Sequence, residues 1–140
     1  MHDPRYELRP WGEFLVYAEN EPCTVKALFI NPHSALSLQM HNNRAQRYII
    51  ISKIQLEWSD IPVPIELTYP NDILKWYKRH IIRATLSRGE ERYFAPRVIH
   101  RATNLTSREV MFFEVAFGEN DEADIIRLDD RYGRETKGEV

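Results

Sequence analysis

LSLQMHNNRAQRYIIIS, residues 36–52, holds two β-prone runs around a polar turn-rich stretch: Leu36–Met40 on one side and Tyr48–Ser52 on the other. The same texture continues in both directions. Thr24–Ile30 (TVKALFI) is rich in β-formers and stops at Asn31-Pro32, a turn signal. Ile54–Trp58 alternates apolar and polar residues, and Ile81–Leu86 and Arg92–Ala95 flank a turn at Arg88-Gly89. Val110–Phe117 (VMFFEVAF) precedes a Gly118-Glu119-Asn120-Asp121 loop. Many short strands at close spacing predict an all-β sandwich or barrel. Runs that are apolar throughout are expected where a strand is covered on both faces.

One stretch departs from this rhythm. Asp60–Pro70 contains three prolines, and Asn71–His80 (NDILKWYKRH) opens on a cap residue and spaces Ile73, Leu74, Trp76 and Tyr77 helically. Residues 60–79 therefore read as an insertion carrying one short helix, and 131–140 as a polar tail that frays. With 140 residues there is room for one domain with one core. A net charge of −2 offers no basic field for nucleic acid or an anionic membrane surface. No apolar run is long enough to span a bilayer, and Cys23 is the lone cysteine, which fits a reducing, cytoplasmic setting.

Three segments, in order, resemble the cupin domain of type II mannose-6-phosphate isomerases, which also forms the C-terminal part of bifunctional mannose-1-phosphate guanylyltransferase/isomerases. They are Arg9-Pro10-Trp11-Gly12, the run Leu36–Gln46, and Asp124–Arg134 (DIIRLDDRYGR). The resemblance spans about Arg9 to Arg134 apart from the insertion, with no nucleotidyltransferase half. It implies a cupin double-stranded β-helix, a jelly-roll barrel, with one short helical insertion. The second cupin motif keeps Gly89, His100 and Asn104 at their spacing, while Ala95 and Arg97 replace its proline and second glycine. In the first motif the corresponding positions hold His41, Asn43, Gln46 and Lys53.

The resemblance implies a metal site at His41, Asn43, Gln46 and His100, where the family pattern has three imidazoles and one carboxylate. Such a set suits zinc, manganese, nickel or iron. The two amides offer carbonyl oxygens but no negative charge, so a divalent metal is expected to bind weakly or not at all. Aldose–ketose isomerisation needs a base, for which Glu114 is the candidate, and a cation or donor for the developing oxyanion; Tyr48, which shares the strand parity of Gln46, is a second catalytic candidate lining the cavity. Lys26, Arg44 and Arg101 are candidates for a sugar phosphate, and Gln39 for a sugar hydroxyl. Arg127 with Asp129 or Asp130 is expected to pin the C-terminal segment. Three functions stay open: a metal-assisted sugar-phosphate isomerase, a metal-poor cupin that binds a sugar phosphate or nucleotide sugar without turnover, and a relative recruited to epimerase, lyase or cyclase chemistry. A homodimer through sheet edges is expected, since open edges need cover.

Overall fold

The β-prone runs pair into two antiparallel sheets that close on each other. A computed structural model describes residues 5–20, 22–118 and 122–136. The strands are β1 (Arg5–Arg9), β2 (Gly12–Ala18), β3 (Thr24–Ile30), β4 (Leu38–His41), β5 (Ala45–Ile50) and β6 (Ile54–Ser59), then helix α1 (Pro70–Tyr77). They continue as β7 (Ile81–Leu86), β8 (Glu91–Phe94), β9 (His100–Thr103), β10 (Val110–Phe117) and β11 (Ile125–Asp129). One sheet has the order β1-β2-β3-β10-β5-β8 and the other β11-β4-β9-β6-β7. This is the all-β barrel that the strand rhythm predicts, with the double-stranded β-helix topology that the resemblance implies.

Alternation sets the inside of the barrel. On the first sheet Leu28, Phe112 and Ile50 stand in register across β3, β10 and β5, and on the second Leu56 pairs with Ala102. With Phe14, Ile54, Leu86 and Phe94 they form one buried cluster at the barrel centre. The second sheet is also covered on its outer face. There Leu38, Met40, Ile99 and Leu128 pack with Val63 and with Ile73, Trp76 and Tyr77 of α1. Leu38 and Met40 are apolar because the outer face of β4 is covered as well, while Gln39 and His41, which alternate with them, turn inward.

The helix begins at Pro70 in the first helical position, with Tyr69 as a cap that makes no side-chain hydrogen bond, and it ends at Tyr77. The cap expected at Asn71 falls instead at Tyr69, and Pro70 takes the first helical position, which its fixed φ and missing N–H suit. The insertion is fastened by Arg97. Its guanidinium donates to the carbonyls of Val63, Pro64 and Leu67 and to Asn42 Oδ1. Arg97 sits at φ 66°, the left-handed region. That explains why the motif has glycine there: Arg tolerates this backbone at a cost of about 1 kcal/mol. Gly12 answers a different need, since a Cβ there would lie 2.0 Å from the Phe29 carbonyl oxygen.

Asn104 keeps its fold-setting role. Its Nδ2 donates to the carbonyls of Ile30, Asn31 and Arg108, and its Oδ1 accepts from the Thr106 amide and hydroxyl. The tail expected to fray is held as far as Thr136, which exchanges two hydrogen bonds with the Arg127 backbone; residues 137–140 lie outside the described residues. Asp130 is clamped by Arg134, and Asp129 pairs with Arg101. Among the described residues no helix is long and apolar enough to cross a membrane.

Candidate functional site

At one end of the barrel the apolar rows give way to polar ones. Across the first sheet Lys26, Glu114 and Tyr48 stand directly opposite one another on β3, β10 and β5. Across the second, Arg127, Gln39 and His100 do the same on β11, β4 and β9. Period-two alternation sends each of these side chains to the inner face. Between the two rows lies a cavity of about 70 Å³ lined by Lys26, Glu114, Gln39, Arg127, Arg44 and Gln46, among others. Arg9 and Arg134, from opposite ends of the chain, and Ser37 also line it. Five basic side chains thus meet one carboxylate, so the cavity favours an anion.

Lys26 and Glu114 are only 7% and 5% exposed, yet they form no hydrogen bond or ion pair with each other or with any described residue. The Lys26 ammonium instead lies 4.8 Å from the centre of the Phe14 ring. Two buried, opposite charges side by side without a direct contact are uncommon, because each loses solvation that pairing would offset. Both remain directed at the cavity. Ser37 Oγ donates to Gln39 Oε1 at 2.8 Å, which leaves the Gln39 amide N–H groups for a ligand.

Deeper in the barrel, His41 and His100 face each other with ring centres 5.8 Å apart. His100 stacks on Phe94 at 4.6 Å, and its Nδ1–H donates to the Val98 carbonyl at 3.0 Å. That fixes the tautomer and leaves Nε2 as a buried lone pair with no partner among the described residues. Burial lowers the His100 pKa to about 4, helped by the Arg44 charge. For His41 burial, then Arg44 and then His100 lower it to about 2. Both rings are neutral at pH 7. The Arg44 guanidinium lies against His41, with Nη2 2.8 Å from Nε2 and 3.0 Å from Nδ1, and Gln46 Nε2 is 3.3 Å from the same Nε2. Tyr48 is fully buried with its hydroxyl unpartnered among the described residues, and burial followed by the Glu114 charge pushes its pKa well above the ordinary phenol value. It stays protonated, a donor and not a base.

Two expected site residues belong elsewhere. Asn43 does not join His41. Strand β4 ends at His41, and the amides of Asn42 and Asn43 both donate to the Asp124 carboxylate, at 3.0 and 2.9 Å, which turns the chain and leaves Asn43 exposed. Arg101 follows His100 directly, so alternation sends it to the opposite face. There it pairs with Glu57 and Asp129 beneath α1, away from the cavity. Conversely, Arg9 and Arg134 reach the cavity without having been singled out. Their signal was membership of the two terminal motifs, Arg9-Pro10-Trp11-Gly12 and Asp124–Arg134.

The inward set offered to a metal is therefore His41, Gln46 and His100. Among the described residues no group of three or more His, Cys, Asp or Glu side chains comes together. The set lacks an anionic ligand, and a guanidinium already lies on the His41 ring. These residues do not fit a resident divalent metal.

Comparisons with known proteins agree with the architecture. The family model described as mannose-6-phosphate isomerase C-terminal matches residues 1–60. The xanthan biosynthesis protein XanB of Xanthomonas campestris pv. campestris is 29% identical over 127 residues, 90% of this chain and 23% of that protein. The alginate biosynthesis protein AlgA of Pseudomonas aeruginosa is 28% identical over 90% of the chain and 22% of its own length. The chain thus spans about a quarter of the length of these relatives. Among solved structures, the capsular polysaccharide assembling protein CapF of Staphylococcus aureus superposes with a TM-score of 0.70 at 12% identity, over 93% of this chain and 33% of that one. KdgF from Halomonas sp. gives 0.62 at 11% identity, over 87% and 91%. The fold is a cupin double-stranded β-helix, and in sequence residues 1–60 are similar to the mannose-6-phosphate isomerase C-terminal family.

Proposed function

We propose that the polar end of the barrel binds a phosphorylated sugar and interconverts its aldose and ketose forms, as in the mannose 6-phosphate and fructose 6-phosphate pair. The observation that carries this reading is the Lys26–Glu114 pair: a buried base and a buried cation, adjacent in register, facing a cavity and not joined to each other. Glu114 takes the C2 proton of the open-chain aldose as the C1 carbonyl oxygen gathers negative charge. Lys26 and Arg44 stabilise that charge. Returning the proton to C1, with the C2 hydroxyl proton passing to O1, completes the ketose. Arg127, on the facing wall, suits the phosphate.

A second reading, binding without turnover, draws support from Gln46, which stands where the family pattern has a carboxylate, and from the modest cavity. About 70 Å³ is small against the several hundred Å³ usual for ligand pockets, so a sugar phosphate requires the cavity to widen. A coupled assay for mannose 6-phosphate conversion separates the two readings, with phosphate and fructose 6-phosphate binding measured in parallel. Turnover that Glu114→Gln abolishes while binding persists supports the isomerase. Binding with no turnover leaves the second reading, and neither result with either sugar rejects both. Self-association through edge strands is part of the proposal; sedimentation at a single-chain mass would reject it.

A further inference from the structure

We propose that the Arg44 guanidinium is the resident cation of this barrel: it lies against the His41 ring, beside the position from which a divalent metal would engage it, so the chain works without a metal. The second half of this statement rests on the cavity being a ligand site; the first does not.

Three observations converge. The first is position. Arg44 Nη2 lies 2.8 Å from His41 Nε2 and 3.0 Å from Nδ1, nearly equidistant from the two nitrogens, so the guanidinium lies across the face of the ring. A transition metal needs a nitrogen at about 2.1 Å. At that point it would lie within a few ångströms of a guanidinium nitrogen, and the two cations would repel. The second is the donor set. Gln46 is 1% exposed and reaches the same Nε2 at 3.3 Å, so the side chain nearest the two imidazoles is neutral. Nothing anionic in this set repays a metal for its lost water. The third is permanence. Arg44 is 6% exposed at the turn between β4 and β5, and guanidinium does not lose its proton. A fixed single positive charge is therefore built into the chain at the deep end of the cavity.

The chemistry differs from that of a metal in a useful way. A guanidinium presents N–H donors in a plane and binds carboxylate, phosphate or enediolate oxygens in pairs. It cannot be removed by chelators or exchanged between metals. His100 Nε2 and the Tyr48 hydroxyl, both buried without partners among the described residues, then remain as an acceptor and a donor for sugar hydroxyls instead of ligands to an ion.

The test is titration of the purified chain with Zn²⁺, Mn²⁺ and Ni²⁺ separately, followed by calorimetry and by the ring-proton resonances of His41 and His100. The expected result is no shift of either ring, and inorganic phosphate binding that is the same with and without chelator. The variant combining Arg44→Gln with Gln46→Glu should gain metal affinity on the order of a hundredfold or more, since it removes a unit of repulsion and adds one of attraction a few ångströms away. One equivalent of metal that moves both rings in the unaltered protein overturns the proposal, as does a folded double variant with no gain. Uptake that persists in His41→Gln is surface binding and agrees with it. If the double variant does not fold, titration of the unaltered chain decides alone. Failure of phosphate binding in a protein that also refuses metal would remove the proposed function and leave the Arg44 assignment standing.

Discussion

Two glutamates in this molecule are equally buried and have opposite fates. Glu57, on the outer face of the second sheet, receives Arg101 at 3.3 Å, Arg83 at 3.4 Å and the Tyr77 hydroxyl at 3.2 Å. Glu114, on the inner face of the first sheet, is as deeply placed but receives nothing from any described residue. The difference teaches how this barrel divides its labour. Outward charges are neutralised by neighbours and serve to glue the insertion onto the sheet. Lys26 and Glu114, inward at the polar end, make no ion pair with any described residue and are left for something else. A carboxylate that forgoes pairing weakens the fold, and such groups persist where they act on a ligand.

Substituting each glutamate by glutamine is the sharpest way to break the comparison. For Glu114→Gln the expected loss is in turnover, on the order of a hundredfold to ten-thousandfold in kcat, the usual weight of a general base. Thermal stability should hold or rise slightly, because no partner is orphaned. For Glu57→Gln the expected loss is in stability, about 2–3 kcal/mol by urea denaturation, because Arg101 and the Tyr77 hydroxyl lose their charged acceptor. Its kcat should be unchanged. If the two variants behave alike, the division between inner and outer charges is wrong.

Acid should expose the same division through the histidines. Burial holds His100 at about 4 and His41 at about 2, below the ordinary value near 6.5, so the folded chain keeps both rings neutral. Below about pH 6.5 the unfolded chain takes up protons that the folded one refuses, so stability falls as pH falls. The window runs from about 6.5 down to 4 for His100 and on toward 2 for His41, at about 1.4 kcal/mol per pH unit for each ring. Denaturation midpoints at pH 7 and pH 5 measure it. His100→Gln should flatten the slope by about half, and an unchanged slope would mean the acid sensitivity lies elsewhere.

Much of this was legible in the chain, and the misses have physical causes. Period-two patterning carries the sheets, since Lys26, Glu114 and Tyr48 each interrupt apolar strands at inward positions. The same rule, applied one residue further, would have sent Arg101 outward from His100. Asn43 is a different kind of miss. Parity with His41 assumes that β4 continues, and what ends it is a carboxylate 81 positions away in sequence, at Asp124. No local pattern carries that contact. The place of Arg44 against His41 is likewise a matter of how a long side chain folds back over a turn, which strand parity does not address.

Arg97 offers the smallest and most discriminating test, because it sets backbone strain against outward gluing at one residue. Arg97→Gly removes the strain of a non-glycine residue at φ 66°, worth about 1 kcal/mol. It also removes the guanidinium that holds the carbonyls of Val63, Pro64 and Leu67. These bonds are charge-assisted but partly exposed, at roughly 1 kcal/mol each or less. The net expected change is a loss of about 1–2 kcal/mol, with amide hydrogen exchange accelerated in residues 63–69 and unaltered in β3, β5 and β10. Turnover and phosphate binding should not move, since Arg97 and the cavity lie on different faces of the second sheet. Arg97→Ala loses the same bonds and keeps the strain, so it should be less stable than Arg97→Gly by about 1 kcal/mol. Equal stability of the two would show that the left-handed backbone costs nothing here, and that glycine at this motif position answers some other need.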